Sequence, residues 1–459
     1  MIKQCVLAVM VMVIGLSTSH AEGIAGDWHG ELEVQPGVTL PLVLHLKHSN
    51  SAWQVTLDSP NQGAFGIEGE MMKATDTQIA VKFAVIGASY KAMLENARLS
   101  GTFSQAGTEF KLTLTRQSAA QAEENKAASG RPQHPTAPYE YVVEDVSYAH
   151  MSGEFEFAAT LTRPAGRGPF PAVILVSGSG PQDRDETLMG HKPFWVLADH
   201  LTEAGIAVLR FDDRGTAKSG GTYEGTTIEG FSTDVESAFT YLRGRSDIDA
   251  NRVGLLGHSE GGVIAPLFAA RQPDVAFIVL LAGLGVDGKT LWAEQQRDIA
   301  AAYGNPDPAG IYMLMENVAQ QIMDGVSAKE IKQQLLDAGF QEPMAQRYTG
   351  LIANDWGRSF LSYQPATVLP KLTMPVLALN GDKDIQVSAA SNIPAMRKLF
   401  GESGNNNVTL LTLPGQNHLF QEATTGLPDE YGKLTQTMAP ATLATISQWI
   451  TEQVKDELE

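Results

Sequence analysis

The sequence predicts a doubly wound, mostly parallel α/β sheet with a helical lid, preceded by a small all-β domain. Three observations carry this expectation. From Tyr139 onward, short continuous apolar runs alternate with amphipathic helical segments, as strands covered on both faces of a parallel sheet do. From Gly23 to Arg116 apolar and polar residues alternate instead, with Gly, Asn, Asp or Ser between the runs, which is the signature of antiparallel strands. Between Leu284 and about Leu369 the strand signal stops and only helical periods remain.

The elements follow in order. Lys3, the apolar run "VLAVMVMVIGL" and the small-residue end "STSHA" read as a secretory signal over residues 1–21, removed after Ala21. Its apolar run is shorter than the roughly 20 residues a bilayer span needs, and no later segment is apolar enough to span. The chain is therefore expected to be exported. Cys5 is the single cysteine, so the mature chain is expected to lack disulfides and cysteine metal ligands. Residues 22–116, with runs such as "TLPLVLHLKH", "IAVKFAVI" and "EFKLTLTR", predict a small antiparallel barrel or sandwich. Residues 117–138, rich in Ala, Gln, Glu and Pro, predict an exposed linker. Residues 139–459 form the α/β domain, with the lid at about 284–369.

Within that domain "PAVILVSGSG", "IAVLRFDDRG", "RVGLLGHS", "VAFIVLLAG", "MPVLALNGD" and "NVTLLTLPG" predict buried strands. "FWVLADHLTEAG" predicts a helix with Phe194, Leu197, Ala198 and Leu201 on one face, stopped by Gly205. "FSTDVESAFTYLRG" predicts another, with Thr233 and Glu236 at capping-box spacing. A helical insert between two sheet strands is expected over the carboxyl ends of the strands, where open α/β sheets bind ligands.

The formal net charge is −19, which argues against nucleic acid as a partner. Neither an H-E-x-x-H pattern nor a cysteine cluster points to a metal, so a cofactor-free reaction is expected. In "GLLGHSEGG" Ser259 follows a buried strand and precedes a helix, the context of a nucleophile elbow. Gly257, Gly261 and Gly262 let the strand and helix approach there. A serine hydroxyl needs a base. In the order serine, acid, histidine, only His418 lies downstream of Ser259, in "LTLPGQNHLF". The orienting acid is Asp384 or Asp382 in "LALNGDKDIQV", and the spacing from Gly381 favours Asp384. Two backbone N–H groups would form an oxyanion hole, that of Glu260 after the nucleophile and that of Ser179 in "LVSGSGPQDRDE". Asp212, Asp213 and Arg214 read as a loop-fixing ion pair, His258 as elbow packing, His191 and His200 as histidines on or near a helix surface, and Trp356 and Phe360 as lid core rather than substrate wall.

The stretches "SGSGPQDRDE", "RFDDRGTAKSGG", "GHSEGG", "PVLALNGDKDIQV" and "GQNH" together resemble the α/β-hydrolase superfamily. Within it they are most similar to bacterial esterases with a G-H-S-E-G-G elbow and to serine aminopeptidase-like hydrolases. The resemblance implies the triad Ser259, Asp384, His418 and a small or short-acyl ester as substrate. An aminopeptidase or amidase using the same triad is the alternative. Ala217 departs from the glycine that relatives usually carry. "DSPNQGAFGI" resembles a module found before some secreted esterases. A third possibility makes the β-domain the functional part, binding a glycan, lipid or envelope partner.

Overall fold

Residues 26–116 close into an antiparallel barrel of eight strands: β1 (Gly26–Gln35), β2 (Val38–Ser49), β3 (Ala52–Ser59), β4 (Ala64–Ala74), β5 (Gln78–Phe83), β6 (Ala88–Glu95), β7 (Arg98–Gln105) and β8 (Thr108–Arg116). Each strand pairs with the next, and β1 closes the ring on β8, with Trp28 opposite Arg116 and His29 opposite Thr115. Alternate residues point inward, and Trp28, Leu44, Phe83, Tyr90, Leu99 and Leu114 are buried there. The polar tips of the two largest are satisfied, as burial requires. The Trp28 indole N–H donates to the Ile24 carbonyl at 2.9 Å, and the Tyr90 hydroxyl donates to the Leu99 carbonyl at 2.7 Å.

The structure is a computed structural model that describes residues 24–35, 38–49, 52–59, 64–84, 86–105, 108–116 and 131–455. The expected signal at 1–21 and most of the expected linker, 117–130, lie outside the described residues. Contacts divide the chain into two compact units, Met1–Ala128 and Ser129–Glu459. Residues 131–138 are held within the second: the Arg131 guanidinium donates to the Met189 and Gly432 carbonyls at 2.8 and 2.9 Å.

The second unit is built on an eight-stranded sheet. Its strands are β9 (Val142–Ala149), β10 (Glu156–Arg163), β11 (Phe170–Val176), β12 (Ala207–Phe211), β13 (Ile248–His258), β14 (Ile278–Leu281), β15 (Val376–Gly381) and β16 (Val408–Leu413). The spatial order is β16-β15-β14-β13-β11-β12-β10-β9. Only β10 runs against its neighbours. Helices α1 (Pro193–Glu203), α2 (Ile228–Arg243) and α3 (Gly261–Ala269) connect the central strands. Phe194, Leu197, Ala198 and Leu201 of α1 are buried, as are Val235, Ala238, Phe239 and Leu242 of α2. The α2 cap differs from the expectation. The helix begins three residues earlier than the start of the predicted run, and the Thr227 hydroxyl accepts from the Gly230 N–H at 3.2 Å. The Thr233 hydroxyl instead donates to the Gly230 carbonyl at 2.7 Å.

Between β14 and β15 the chain is helical: α4 (Gly288–Ala302), α5 (Pro308–Met323), α6 (Ala328–Asp337), α7 (Glu342–Ile352), α8 (Asp355–Leu361) and the short α9 (Pro365–Val368). This insert has its own apolar cluster, including Trp292, Met315, Ile322, Leu335 and Leu361. After β15 come α10 (Ala389–Ser403), then β16, the single turn α11 (Pro428–Tyr431) and α12 (Pro440–Gln453). Chain order reverses between β11 and β13, since β12 lies on one side of β11 and β13 on the other. The crevice beyond the carboxyl ends of these two strands is where such sheets take ligands.

Candidate active site

Ser259 sits at that crevice, between the end of β13 and the start of α3. Its φ is +54°, the left-handed region that costs a non-glycine residue roughly 1–3 kcal/mol. The strain is held by short contacts on both sides. Ser259 N–H donates to the Leu281 carbonyl at 2.8 Å, and the Ser259 carbonyl accepts from Gly262 N–H at 2.9 Å. Gly257 and Gly261 are needed because the backbones touch. A Cβ on Gly257 would lie 2.0 Å from the Gly261 oxygen, and one on Gly261 would lie 2.1 Å from the Val176 oxygen.

Asp384 and His418 come together from two loops. The His418 Nδ1–H donates to Asp384 Oδ2 at 2.7 Å, with both residues buried. The other carboxylate oxygen, Oδ1, accepts from the Gln386 and Val387 N–H groups at 2.8 and 2.9 Å. A carboxylate so anchored fixes the imidazole's orientation and leaves Nε2 as its acceptor nitrogen. Asp382 is exposed, and its carboxylate accepts from Gly415 N–H at 2.7 Å, so the two candidate acids divide into one buried on the histidine and one holding a turn. The His418 loop is braced by Asn417, whose side-chain oxygen accepts from the Leu419 and Gln421 N–H groups at 3.0 Å each.

The loop after β11 lies against the elbow. Gly178 N–H donates to Glu186 Oε1 at 2.7 Å, and Gly180 N–H donates to the Tyr223 hydroxyl at 3.0 Å. Among the described residues, the N–H groups of Ser179 and Glu260 donate to no protein acceptor. These are the two amides expected to face a developing oxyanion.

The side chain of Glu260 points elsewhere. It is buried, and Oε1 accepts from the Trp356 indole N–H of α8 at 2.6 Å. Trp356 is half-buried and stacks on buried Phe360 with ring centroids 5.4 Å apart. The lid therefore reaches the residue after the serine through a hydrogen bond that sequence reasoning did not foresee. A cavity of about 20 Å³ beside Glu260, with Gly178, Asp213 and Tyr223 in its wall, has room for about one water.

Burial pushes the Glu260 carboxyl up to about 7 from an ordinary 4.5, against the opposing Trp356 hydrogen bond. The folded chain then holds this proton over a pH range in which the unfolded chain has lost it. Stability falls as pH rises from about 4.5 to about 7 and stays reduced above, by roughly 3 kcal/mol at 1.36 kcal/mol per pH unit. Glu260→Gln keeps an oxygen for Trp356 and removes the charge. Urea unfolding is expected to show it more stable than the parent at pH 8 by an amount of that order, with the gain fading toward pH 4.5. A gain independent of pH, or none, would contradict the assignment.

Other expectations are corrected. Asp212 and Arg214 each form an ion pair, but not with one another. Asp212 pairs with Arg184 (Nη2 to Oδ2, 2.7 Å) and Arg214 pairs with Asp234 (Nε to Oδ2, 2.7 Å). Asp213 instead accepts from the Ser177 hydroxyl at 2.8 Å and Gln182 N–H at 2.9 Å, bracing the β11 loop. His191 is fully buried and bonded to Thr437 and the Tyr431 carbonyl rather than lying near a surface. His258 bonds to Glu186 and to the His418 carbonyl, more than packing alone. No sequence signal pointed to Glu186. Ala217 has φ +48°, a conformation glycine adopts without strain.

A parallel sheet with one reversed strand, a strained serine after its central strand and a helical insert define an α/β hydrolase. Residues 193–422, half of the chain, match the Hydrolase_4 family model, described as serine aminopeptidase, S33. The chain belongs to that family of serine hydrolases. Esterase EstD of Thermotoga maritima is 28% identical over 282 residues, 61% of this chain and 61% of that protein, so the chain spans less than two thirds of this relative's length. Among solved structures, the α/β hydrolase GrgF from Penicillium sp. sh18 is similar with a TM-score of 0.45 at 18% identity, covering 68% of this chain and 99% of that one. The Pyrococcus furiosus esterase Pf2001 is similar with a TM-score of 0.42 at 12% identity, covering 68% and 93%.

Proposed function

We propose that the chain is a serine carboxylesterase acting on small or short-acyl esters. Ser259 is the nucleophile, His418 the base and Asp384 the acid that orients it. Ser259 Oγ attacks the ester carbonyl while His418 Nε2 takes its proton. The Glu260 and Ser179 N–H groups stabilise the oxyanion. His418 then returns the proton to the departing alkoxide, leaving an acyl-serine. Water, activated by the same nitrogen, hydrolyses it. The observation that carries this reading is the buried 2.7 Å bond between Asp384 and His418, and the strained elbow conformation of Ser259, φ +54°, supports it. The name of EstD supports an ester as substrate. Export, read from Lys3 and the apolar run behind it, belongs to the same proposal.

The description of the family model favours a second reading, an aminopeptidase or amidase on the same three residues. A fluorophosphonate probe followed by peptide mapping is expected to label Ser259. Turnover of aryl esters is expected to exceed that of aminoacyl and proline amides. Labelling at another residue would overturn the nucleophile assignment, and faster amide turnover would replace the first reading by the second.

A further inference from the structure

We propose that Glu186 and His258 form a buried carboxylate–imidazolium pair that positions the Gly178 loop, the serine elbow and His418 relative to one another. Both side chains are about 5% exposed, and neither has a part in the proposed proton transfers. His258 Nδ1 lies 2.8 Å from Glu186 Oε1, and its Nε2 lies 3.0 Å from the His418 carbonyl oxygen. A carbonyl oxygen only accepts, so Nε2 carries a proton. Glu186 Oε1 already accepts from Gly178 N–H at 2.7 Å, and with Glu186 ionised in the proposed pair it accepts from Nδ1–H as well. An imidazole donating from both nitrogens is a cation. A cation so buried persists only beside an opposite charge, and Glu186 is the carboxylate bonded to it. The carboxylate correspondingly raises the His258 pKa against the opposing effect of burial.

The pair lies where three segments meet. A Cβ on Gly178 would sit 3.2 Å from Glu186 Oε1, 3.3 Å from Ser259 Cβ and 3.6 Å from His258 Nδ1. Glu186 takes a left-handed φ of +53°, a strained conformation of the kind that persists where surrounding contacts over-determine it. Its carboxylate fixes Gly178, next to the Ser179 amide. His258 precedes the nucleophile and grips the backbone of the base, whose ring centroid is 4.9 Å from its own. One ion pair therefore sets the separation of oxyanion donor, nucleophile and base. These are positioning residues: they touch no reacting atom. The kinetic part of the inference rests on the proposed triad, whereas the charge state of His258 stands without it.

Glu186→Gln keeps the shape and removes the charge. His258 then keeps one proton and loses one of its two bonds. On an aryl acetate, kcat is expected to fall about ten- to a hundredfold with KM changed by less than about threefold, as a small misplacement of reacting groups does. Ring nitrogen-15 NMR supplies the readout that a merely structural role would not move. At pH 8 the parent is expected to show a histidine with both nitrogens protonated, and E186Q to lack it. His45, between Asp27 and Asp58 with its pKa raised to about 9, gives a second such signal. His45→Gln on the barrel removes that one and leaves the His258 signal alone, a test that holds even if E186Q does not fold. A doubly protonated ring absent from H45Q, or retained in the double variant H45Q/E186Q, overturns the proposal, as does kcat in E186Q within about twofold of the parent. Failure of fluorophosphonate labelling at Ser259 would instead remove the triad and leave the NMR result intact.

Discussion

Ser259→Ala is expected to lower kcat on an aryl acetate by about a millionfold, the loss seen when a triad nucleophile is removed. The size follows from chemistry rather than folding. Alanine deletes one oxygen from a half-buried side chain, and among the described residues no hydrogen bond to that oxygen contributes to the elbow. Backbone bonds to Leu281 and Gly262 and the glycine contacts hold it, and these survive. The variant should therefore keep the parent's unfolding midpoint while losing turnover and fluorophosphonate labelling. Residual turnover within tenfold of the parent, in protein shown free of contaminating hydrolase by probe labelling, would mean that another group attacks the ester.

Asp384→Asn should lower kcat on the order of 10⁴-fold at neutral pH, with the fold intact. The two N–H groups of Gln386 and Val387 demand an oxygen at the Oδ1 position. Asparagine can meet that demand only by turning its NH₂ toward His418 Nδ1. That nitrogen must then accept, so the ring proton moves to Nε2, the nitrogen required to receive the serine proton. The matching change at Asp382 removes only an exposed turn contact to Gly415 and should leave kcat within about twofold, since surface changes of this kind rarely exceed ±0.5 kcal/mol. The reverse ranking of the two variants would reassign the acid.

Much of this site is legible in the sequence, and the reason is order along the chain. One serine stands between glycines after a buried run, one histidine lies downstream, and two acids compete for the loop between them. What stayed illegible was set by backbone conformation and long-range contact. The turn between β6 and β7, Asn96–Ala97, lacks the glycine that usually marks a hairpin, yet both residues adopt positive φ of 49° and 59°, as a two-residue hairpin demands. In strand β1 Gly30 interrupts the inward face between Trp28 and Leu32 and blurs the alternation. A Cβ on Gly30 would lie 2.3 Å from the Thr113 oxygen, so close approach of the neighbouring strand β8 requires the glycine. Thr227 was hidden behind the better-spaced Thr233 and Glu236. Glu186 had no signal, because its partners lie 8 and 72 residues away.

The helices between β14 and β15 gather around an apolar nucleus of their own. Residues such as Met315 and Leu335 can thus be exchanged, and neighbours repacked, without disturbing the sheet that carries the reacting groups. Divergence in substrate preference then has a natural seat, an element free to be remodelled over an invariant chemical floor. The tether from Trp356 to Glu260 marks where such remodelling must stop.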